Sequence, residues 1–546
     1  DRGDLVEISN GLVSFTVNKS KFNGFESIAY KGKPVFEAAK AWLLANGQGG
    51  PAKPTHFDLV YEGSIRTTLY VKGPIGGQAT PTFAVAITLN AGEAAIHIDH
   101  NLRNGGIGVK NIEVANPRLC LVPAGDMKAG ASGAGAGDRP SYGWQEFGGP
   151  VDVLFFARHG GHAHIGGKEL RVSYEPTLVG KELVLPLTFM KDRPFKLDEG
   201  EHKVTEVTLA FGKTRTPDAL LAPLHARSSV EWYSAHDSMG VGKEWGSLAD
   251  ETATYKAAGW SKADDPKKMP HMPAAPDVWF NWLGVHDTSE ADQIQGMLFG
   301  YLRTGERGYL DQALAWQRYF RTYYMYRTDD FTYGKEGRRG GLVNFGGGRT
   351  CESGCHTYGV GIFNSALLTG NVDALEAAFD LAEQANATAG NLSPRKPGAA
   401  LGFWGSRSFV RNYMAVARAA DVARTTEWAE RVRYFVEMAT SAADRDPRGF
   451  INHGHASDNP KQYIAEMAKD SGVQAVEDQQ KLGVVLEGKT FKHPQYGTWQ
   501  LREFASWPEA MESEGHVLAL DVLREHDEPA FEVAADDAMD LAIVKA

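Results

Sequence analysis

The sequence predicts a two-part protein: an N-terminal antiparallel β-sandwich or distorted barrel, followed by an (α/α) toroid. Short runs that alternate apolar and polar residues recur from residue 1 to about residue 215, as strands with one buried face require. Near residue 220 the period changes to about 3.6 and stays there, which is typical of amphipathic helices. The predicted domains are therefore 1–215 and 216–546.

The β domain is predicted from six alternating runs separated by turn residues such as Asn10-Gly11. Antiparallel strands with this pattern favour two packed sheets. The segment 126–150 is rich in Gly and Ala and polar residues, which predicts a long loop inside this domain. The runs are Leu12–Val17, Thr67–Val71, Phe83–Thr88, Ala95–Asp99, Val151–Phe156 and Val204–Phe211.

The helical part contains four copies of one pattern, in which two helices are joined by a short corner. Repeated helix pairs bury their apolar faces against neighbouring pairs, so they stack into a solenoid or close into a toroid. Long insertions at 327–355 and 446–460 fall between pairs and favour the toroid. The corners lie at Tyr301–Gly305, Leu367–Gly370, Val422–Thr425 and between Leu523 and Pro529.

Composition excludes several classes of function. The net charge of −11 disfavours nucleic-acid binding, which needs clustered Lys and Arg. No apolar run reaches the roughly 18 residues that cross a bilayer, so no membrane partner is expected. The chain begins at Asp1 without a visible signal peptide, and we expect any such segment to have been removed from a secreted or periplasmic protein.

Three cysteines are too few for a disulfide scaffold. Cys351 and Cys355 stand before a histidine at a predicted helix start, and the sequence leaves open whether they are joined or buried. His453 and His455 share a predicted loop with Asp458, and these three side chains could bind Zn²⁺ or Ca²⁺. Contact with substrate or a structural role is favoured, so we predict no metal and no required cofactor.

The stretch 344–371 is the predicted working centre. A glycine-rich loop carries Arg349, and His356 and Tyr358 follow at the start of an apolar helix. A loop that brings these residue types to one helix N-terminus suits acid–base chemistry. The alternative is that His356 is a hydrogen-bonded structural residue.

Several motifs resemble exo-rhamnogalacturonan lyases, polysaccharide lyase family 26, and their bacterial relatives. The similar segments are Ile8–Val17, Asp292 with Tyr301–Gly305, His356–Asn371, and Arg407 followed by Trp428. Three features depart from the family pattern. The sequence begins where the family normally already has an earlier β segment, it ends at the last predicted helix where the family usually continues into another β domain, and the third corner lacks Thr-Gly.

The resemblance implies β-elimination from a uronic acid in an acidic polysaccharide or oligosaccharide, most simply a rhamnose–uronate polymer. Arg407 and Arg349 would neutralise the carboxylate, because a guanidinium pairs with it through two hydrogen bonds. His356 would act as base or binding residue, and Tyr358 or Tyr413 as proton donor. The substrate-binding candidates are Asn344, Arg411, Tyr413, His453, His455 and His286.

The sequence is also compatible with two other functions. A glycoside hydrolase acting on an acidic polysaccharide needs a carboxylate pair across a cleft. Candidates for that pair are Asp329, Asp330, Glu336 and Glu352. The third reading is a glycan-binding protein without catalysis.

Overall fold

The computed structural model divides the chain into two compact units. Unit 1 comprises Asp1–Gly284, Gln293–Phe331 and Asn364–Ala377, and unit 2 comprises Val285–Asp292, Thr332–Phe363 and Ala378–Ala546. The structure describes residues 3–42, 53–75, 81–109, 112–114, 117–134, 142–159, 176–179, 181–187, 195–213, 215–221, 228–229, 232–233, 292–328, 339–344, 350–352, 359–392, 403–443, 490–493, 497–500, 506–526 and 529–545.

Unit 1 contains two large sheets whose neighbouring strands all run antiparallel. The first sheet consists of β1 Leu5–Ser9, β2 Val13–Asn18, β3 Ser27–Tyr30, β4 Lys33–Trp42, β10 Arg118–Pro123, β14 Thr177–Val179 and β15 Glu182–Pro186. Its strand order is β1-β2-β3-β4-β10-β15-β14.

The second sheet has the order β11-β12-β13-β17-β8-β7-β6-β5. Its members are β5 His56–Glu62, β6 Arg66–Pro74, β7 Thr82–Asn90, β8 Ala95–Arg103, β11 Lys128–Ala134, β12 Tyr142–Gly148, β13 Val153–His159 and β17 His202–Phe211. The short strands pair as β9 Ile112–Val114 with β16 Phe195–Leu197, β18 Leu342–Asn344 with β19 Thr350–Glu352, and β20 Thr490–His493 with β21 Gly497–Gln500.

One apolar core contains the inward side chains of both large sheets, including Phe15 of β2 and Leu209 of β17. Strand β8 shows why the sequence folds this way. Its even positions Ile96 and Ile98 enter the core, because side chains alternate across a strand. Each fully buried side chain of this size stabilises the fold by about 1.5–3 kcal/mol. The predicted antiparallel, sandwich-like β region is confirmed.

All six predicted strands are confirmed, but the predicted loop at 126–150 is wrong. Its described residues include β11 and β12, and among the described strands the exposed β11 pairs with β12 alone. Gly and Ala lack the β-branched side chains by which strands are recognised. Gly133 is suited to its position because a Cβ there would lie 2.8 Å from the Trp144 ring on the neighbouring strand.

The helices confirm the four predicted pairs, since each predicted corner falls between two of them. Gly305 and Gly370 take positive φ values of 77° and 66° at the first two corners, a conformation that glycine adopts without strain. At the third corner Arg424 takes this conformation, with φ 51°. The helices are α1 Pro217–Leu221, α2 Gln293–Thr304, α3 Arg307–Tyr319, α4 Val360–Thr369, α5 Val372–Leu392, α6 Phe403–Ala423, α7 Thr426–Ala443, α8 Ser506–Leu523 and α9 Pro529–Lys545.

Within unit 2, α6 packs against α7 and α8, and α9 packs against α7 and α8. Closure of the helices into a toroid stays a prediction, because the insertion at 446–460 lies outside the described residues. Over the part of the chain that the structure describes, none of the helices combines the length and apolar character needed to span a membrane.

A buried ion network joins the polar face of the second sheet of unit 1 to its helices. Arg321, in the π-helical turn Phe320–Tyr324, donates to Asp373 Oδ2 at 2.5 Å, and its side chain is 0% exposed. The same guanidinium lies 3.3 Å from Asp99 Oδ2 on β8 and 3.1 Å from Glu206 Oε1 on β17. Buried charges need such partners, because an unpaired one would lose its hydration.

A second carboxylate of α5, Glu376, is held by three cations of unit 1. Arg103 and Arg327 donate to Oε2 at 2.8 and 2.7 Å, and Lys72 donates to Oε1 at 2.5 Å. The Tyr70 hydroxyl also donates to this carboxylate. Although burial opposes its ionisation, Arg103 and then Arg327 and Lys72 hold the pKa of Glu376 well below its ordinary value.

Candidate functional site

Most of the residues predicted from the sequence for catalysis or substrate binding lie outside the described part of the chain. These are Arg349, His356, Tyr358, His286, His453 and His455, and their roles stay predictions. For Asn344 on β18 and Arg407 on α6 the structure describes the backbone. Arg411 and Tyr413, both on α6, are described in full.

The Tyr413 hydroxyl is hydrogen-bonded to Nδ1 of His516 on α8 at 2.9 Å, and both side chains are 0% exposed. The rings meet edge to face, with centroids 5.1 Å apart. This hydrogen bond joins α6 to α8 inside unit 2. His516 was absent from the predicted site residues.

The surroundings fix the Tyr413 ring in one orientation. It stacks on Phe435 of α7 with an interplanar angle of 6°. A Cβ at Gly515 of α8 would lie 2.9 Å from Tyr413 Cδ1, so the absence of a side chain there lets α8 approach α6 closely. A change in the χ1 angle of Tyr413 would break both the stacking and the hydrogen bond to His516.

Arg411 and Tyr413 were predicted to bind substrate, which requires exposed side chains. The structure instead buries both of them, with Arg411 only 1% exposed. Arg407 lies four residues earlier on α6, and residues with this spacing share one face of a helix. This spacing predicts that Arg407 and Arg411 lie along one face of α6, and Arg411 is on the turn whose side chains are buried.

The start of α4 is held by Asp292. Its Oδ2 accepts the backbone N–H of Gly361 at 2.9 Å, which satisfies one of the free N–H groups of the first turn. Asp292 adopts a positive φ of 41°. The predicted base, His356, lies five residues before Gly361, so this contact anchors the helix to which the predicted catalytic loop leads.

The carboxylates named for a hydrolase are not placed by the structure. Asp329, Asp330 and Glu336 lie outside the described residues, and Glu352 on β19 is described by its backbone alone. Among the described side chains, no group of three or more His, Cys, Asp or Glu is arranged to hold a metal ion. Cys120 on β10 is a buried free cysteine, and Cys355 lies outside the described residues.

Unit 1 contains a cavity of about 540 Å³ on the polar face of its second sheet, a size typical of small-molecule sites. Its hydrogen-bonding lining includes Thr88, Thr208, Asn90 and Asn371. Its charged lining consists of Arg66, Arg158, Arg215, Arg318, Glu93, Asp99, Glu206 and the titratable His97.

Two carboxylates of the cavity have pKa values shifted in opposite directions. Burial raises the pKa of Asp99 to about 6, with nearby Asp373 and Glu206 adding to the effect against Arg321. Burial also opposes ionisation of Glu206, but Arg158, Arg318 and Arg321 together lower its pKa to about 2. The third carboxylate of the cavity, Glu93, resembles Glu206, since burial opposes its ionisation but hydrogen bonds from His97 and Asn90 and the charge of His97 lower its pKa to about 2.

No pattern in the sequence predicts this cavity. Arg66 and Asp99 belong to alternating strands, and the polar members of such strands are usually solvent-facing. Arg318 ends a helix whose charged residues likewise predict an exposed face. Their convergence depends on pairing of β8 with β17 and on the packing of α3, neither of which local patterns reveal.

Comparison with solved structures finds distant matches. A galactose mutarotase related enzyme from Lactobacillus acidophilus matches with 7% identity and a TM-score of 0.24, covering 38% of this chain and 98% of its own. A TPR-domain containing protein from Parabacteroides distasonis matches with 10% identity and a TM-score of 0.26, covering 98% and 87%.

A polysaccharide lyase matches with 9% identity and a TM-score of 0.24, covering 98% of this chain and 82% of its own. The solved structures similar to this chain thus include carbohydrate-active enzymes, at similarities too low to establish a shared family. No protein-family model and no curated protein sequence matches the chain.

Proposed function

We propose that the protein is a polysaccharide lyase that cleaves a uronate-containing polymer, of the rhamnose–uronate type, by β-elimination. The observation that carries the proposal is the arrangement on α6. This helix bears Arg407 and Arg411 on one face, and Tyr413 is hydrogen-bonded to His516. The resemblance of the His356 and Arg407 segments to exo-rhamnogalacturonan lyases supports the same chemistry.

The reaction requires three functions of the protein. A base removes the proton at C5 of the uronate, and the electron pair forms the C4–C5 double bond while the C4–O4 bond breaks. An acid then protonates the departing O4. Because the C5 proton is weakly acidic, a cation must stabilise the charge that develops on the carboxylate, which is usually the largest catalytic contribution.

We assign these functions to the predicted residues. Arg407 and Arg349 neutralise the carboxylate, since guanidinium stays charged and pairs with both oxygens. His356 removes the C5 proton, because histidine titrates near neutral pH. Tyr358 protonates O4.

In the proposal, the buried residues of α6 position the catalytic residues and do not contact the substrate. Full burial keeps Tyr413 and His516 away from a polymer, so their hydrogen bond positions α6 and with it Arg407. Arg411 supports the same face one turn further along. A polymer substrate of this kind lies outside the cytoplasm, so we propose a secreted or periplasmic protein.

The test is the ultraviolet absorbance of the unsaturated uronate product. The full chain is incubated with rhamnogalacturonan I, ulvan, glucuronan and rhamnose-capped arabinogalactan. We expect absorbance to rise on one polymer, and Arg407→Ala and His356→Ala each to reduce the rate at least about 100-fold. Arg433→Ala, which removes a partly exposed arginine of α7, is the matched control and should retain full activity.

New reducing ends without this absorbance would contradict the lyase proposal and indicate hydrolysis. Asp99 and Glu206 would then be the first carboxylates to substitute, because their pKa values are separated as in an acid–carboxylate pair. Binding with neither product would indicate a glycan-binding protein.

A further inference from the structure

Five arginines on the polar face of the second sheet of unit 1 differ in how deeply they are buried. Arg103, Arg321 and Arg327 have side chains at most 2% exposed, and each is within 3.1 Å of a carboxylate oxygen. Their role in the ion network is structural. Arg318 and Arg158 are more exposed, at 14% and 25%, and line the cavity together with Glu206.

Arg318 makes only a long ion-pair contact with the carboxylates that line the cavity. Its closest ion-pair contact among the described residues is Glu206 Oε2, at 3.7 Å. Glu206 already accepts Arg158 Nε at 2.5 Å and Arg321 Nη2 at 3.1 Å. Three guanidinium groups therefore converge on one carboxylate, and Arg318 has the longest of the three contacts.

The electrostatics of Arg318 agree with this geometry. Burial and then the neighbouring Arg158 lower its pKa to about 10, against the opposing effect of Glu206. A site crowded with cations favours a bound anion, which would relieve their mutual repulsion. The lining of the cavity has four arginines against three carboxylates, and burial raises the pKa of one of these carboxylates, Asp99, to about 6.

We propose that this cavity binds a carboxylate-bearing sugar, with the carboxylate paired to Arg318 and Arg158. The volume of about 540 Å³ accommodates a small saccharide. Thr88, Asn90 and Thr208 line the same space and provide hydroxyl and amide groups for sugar hydroxyls. Arg318 is the specificity-determining residue, because neutral sugars have no group that uses its charge.

The proposal does not depend on the lyase reaction. All residues that line the cavity belong to unit 1, whereas Arg407 and His356 belong to unit 2. Binding is measured without turnover, on monosaccharides that contain no cleavable O4 linkage. A result that contradicts one proposal therefore does not contradict the other.

The experiment is isothermal titration calorimetry on the full chain with glucuronate, its methyl ester, glucose, acetate and inorganic phosphate. We expect saturable binding of glucuronate, and binding at least about tenfold weaker for the ester and for glucose, since a charge-assisted pair is lost. Arg318→Gln should weaken glucuronate binding by a similar factor and leave ester binding unchanged. Arg307→Gln, at the other end of α3 and absent from the cavity lining, should change neither.

Equal binding of glucuronate and its ester to the wild-type protein would overturn the proposal without any variant. So would equal effects of Arg318→Gln and Arg307→Gln, or no saturable binding of glucuronate. Acetate or phosphate binding as tightly as glucuronate would overturn the sugar assignment, since the site would then recognise an anion alone. If Arg318→Gln fails to fold, Arg318→Lys keeps the charge but loses the planar fork and should bind more weakly than wild type.

Discussion

The Tyr413 hydroxyl lies 2.9 Å from Nδ1 of His516, although the two residues are 103 positions apart in the sequence. Both side chains are fully buried, so neither can exchange this partner for water. The bond links α6, which carries Arg407, to α8. Removal of the hydroxyl should therefore affect stability and activity together.

Tyr413→Phe should lower the free energy of unfolding by about 1–3 kcal/mol, because a buried His516 nitrogen is left without its partner. Urea unfolding measures this. If the pair positions Arg407, kcat should fall as well. Tyr434→Phe, on the exposed side of α7, should change stability by less than about 0.5 kcal/mol. Equal stability of the two variants would contradict the role given to the hydrogen bond.

Gly515→Ala should also disturb α6. The new Cβ would lie 2.9 Å from the Tyr413 ring, and overpacking of this kind costs about 1–3 kcal/mol. Gly296→Ala in α2 is the matched control, since a Cβ there has no heavy atom within 4 Å. That change should stabilise by about 0.5–1 kcal/mol, because alanine favours a helix. Thermal melting of both variants distinguishes packing from helix propensity.

Arg321→Met should destabilise unit 1 by about 3–5 kcal/mol. It leaves Asp99, Glu206 and Asp373 without a shared buried cation, and unpaired buried charges are costly. Arg307→Met removes a surface pair with Asp311 and should cost less than about 1 kcal/mol. A melting temperature of Arg321→Met within the error of Arg307→Met would show that the network contributes little.

Acid should destabilise unit 1 through Glu206. Its folded pKa of about 2 lies below its ordinary value of 4.5, so the unfolded state binds more protons between these values. The stability that Glu206 contributes is present above about pH 4.5 and is lost as the pH falls towards 2. Urea midpoints between pH 5.5 and 3 should decline steeply in the wild type and less steeply in Glu206→Gln. The same slope in both proteins would contradict this assignment.

Asp99 should have the opposite effect from Glu206 on the pH dependence of stability. Its folded pKa of about 6 lies above its ordinary value of 3.8, because burial penalises the charged form. The folded state therefore binds more protons in this window, and stability falls as the pH rises from about 4 to 6. Asp99→Asn should remove this decline, which urea midpoints at pH 4.5 and 6.5 would detect. A decline that persists in Asp99→Asn would assign it to another group.

The architecture of the β domain could be predicted because alternation is a local property. Val204–Phe211 alternates in the sequence and lies within β17, and the corner at Leu367–Gly370 ends α4 where expected. The segment 126–150 was missed because small residues carry no alternation signal. Arg424 at the third corner shows that a positive φ does not require glycine where the neighbouring pattern already ends the helix.

The candidate sites were harder to predict, because they depend on distant pairs. Tyr413 is among the predicted site residues, but its partner His516 lies on α8, 103 positions further along the chain. Arg318 and Glu206 meet through the packing of α3 on the second sheet. Charged residues in strands and helices are usually solvated, so their sequence context favoured exposure.

The most direct measurement is mass spectrometry of the products formed in water labelled with heavy oxygen, with the polymer that gives the strongest response. β-Elimination adds no water, so a lyase product should carry no label and be lighter than the hydrolysis product by one water molecule. Arg407→Ala and His356→Ala should suppress this unlabelled product, and Arg433→Ala should not. A product carrying one heavy oxygen at each cleaved bond would contradict the lyase account and identify a hydrolase.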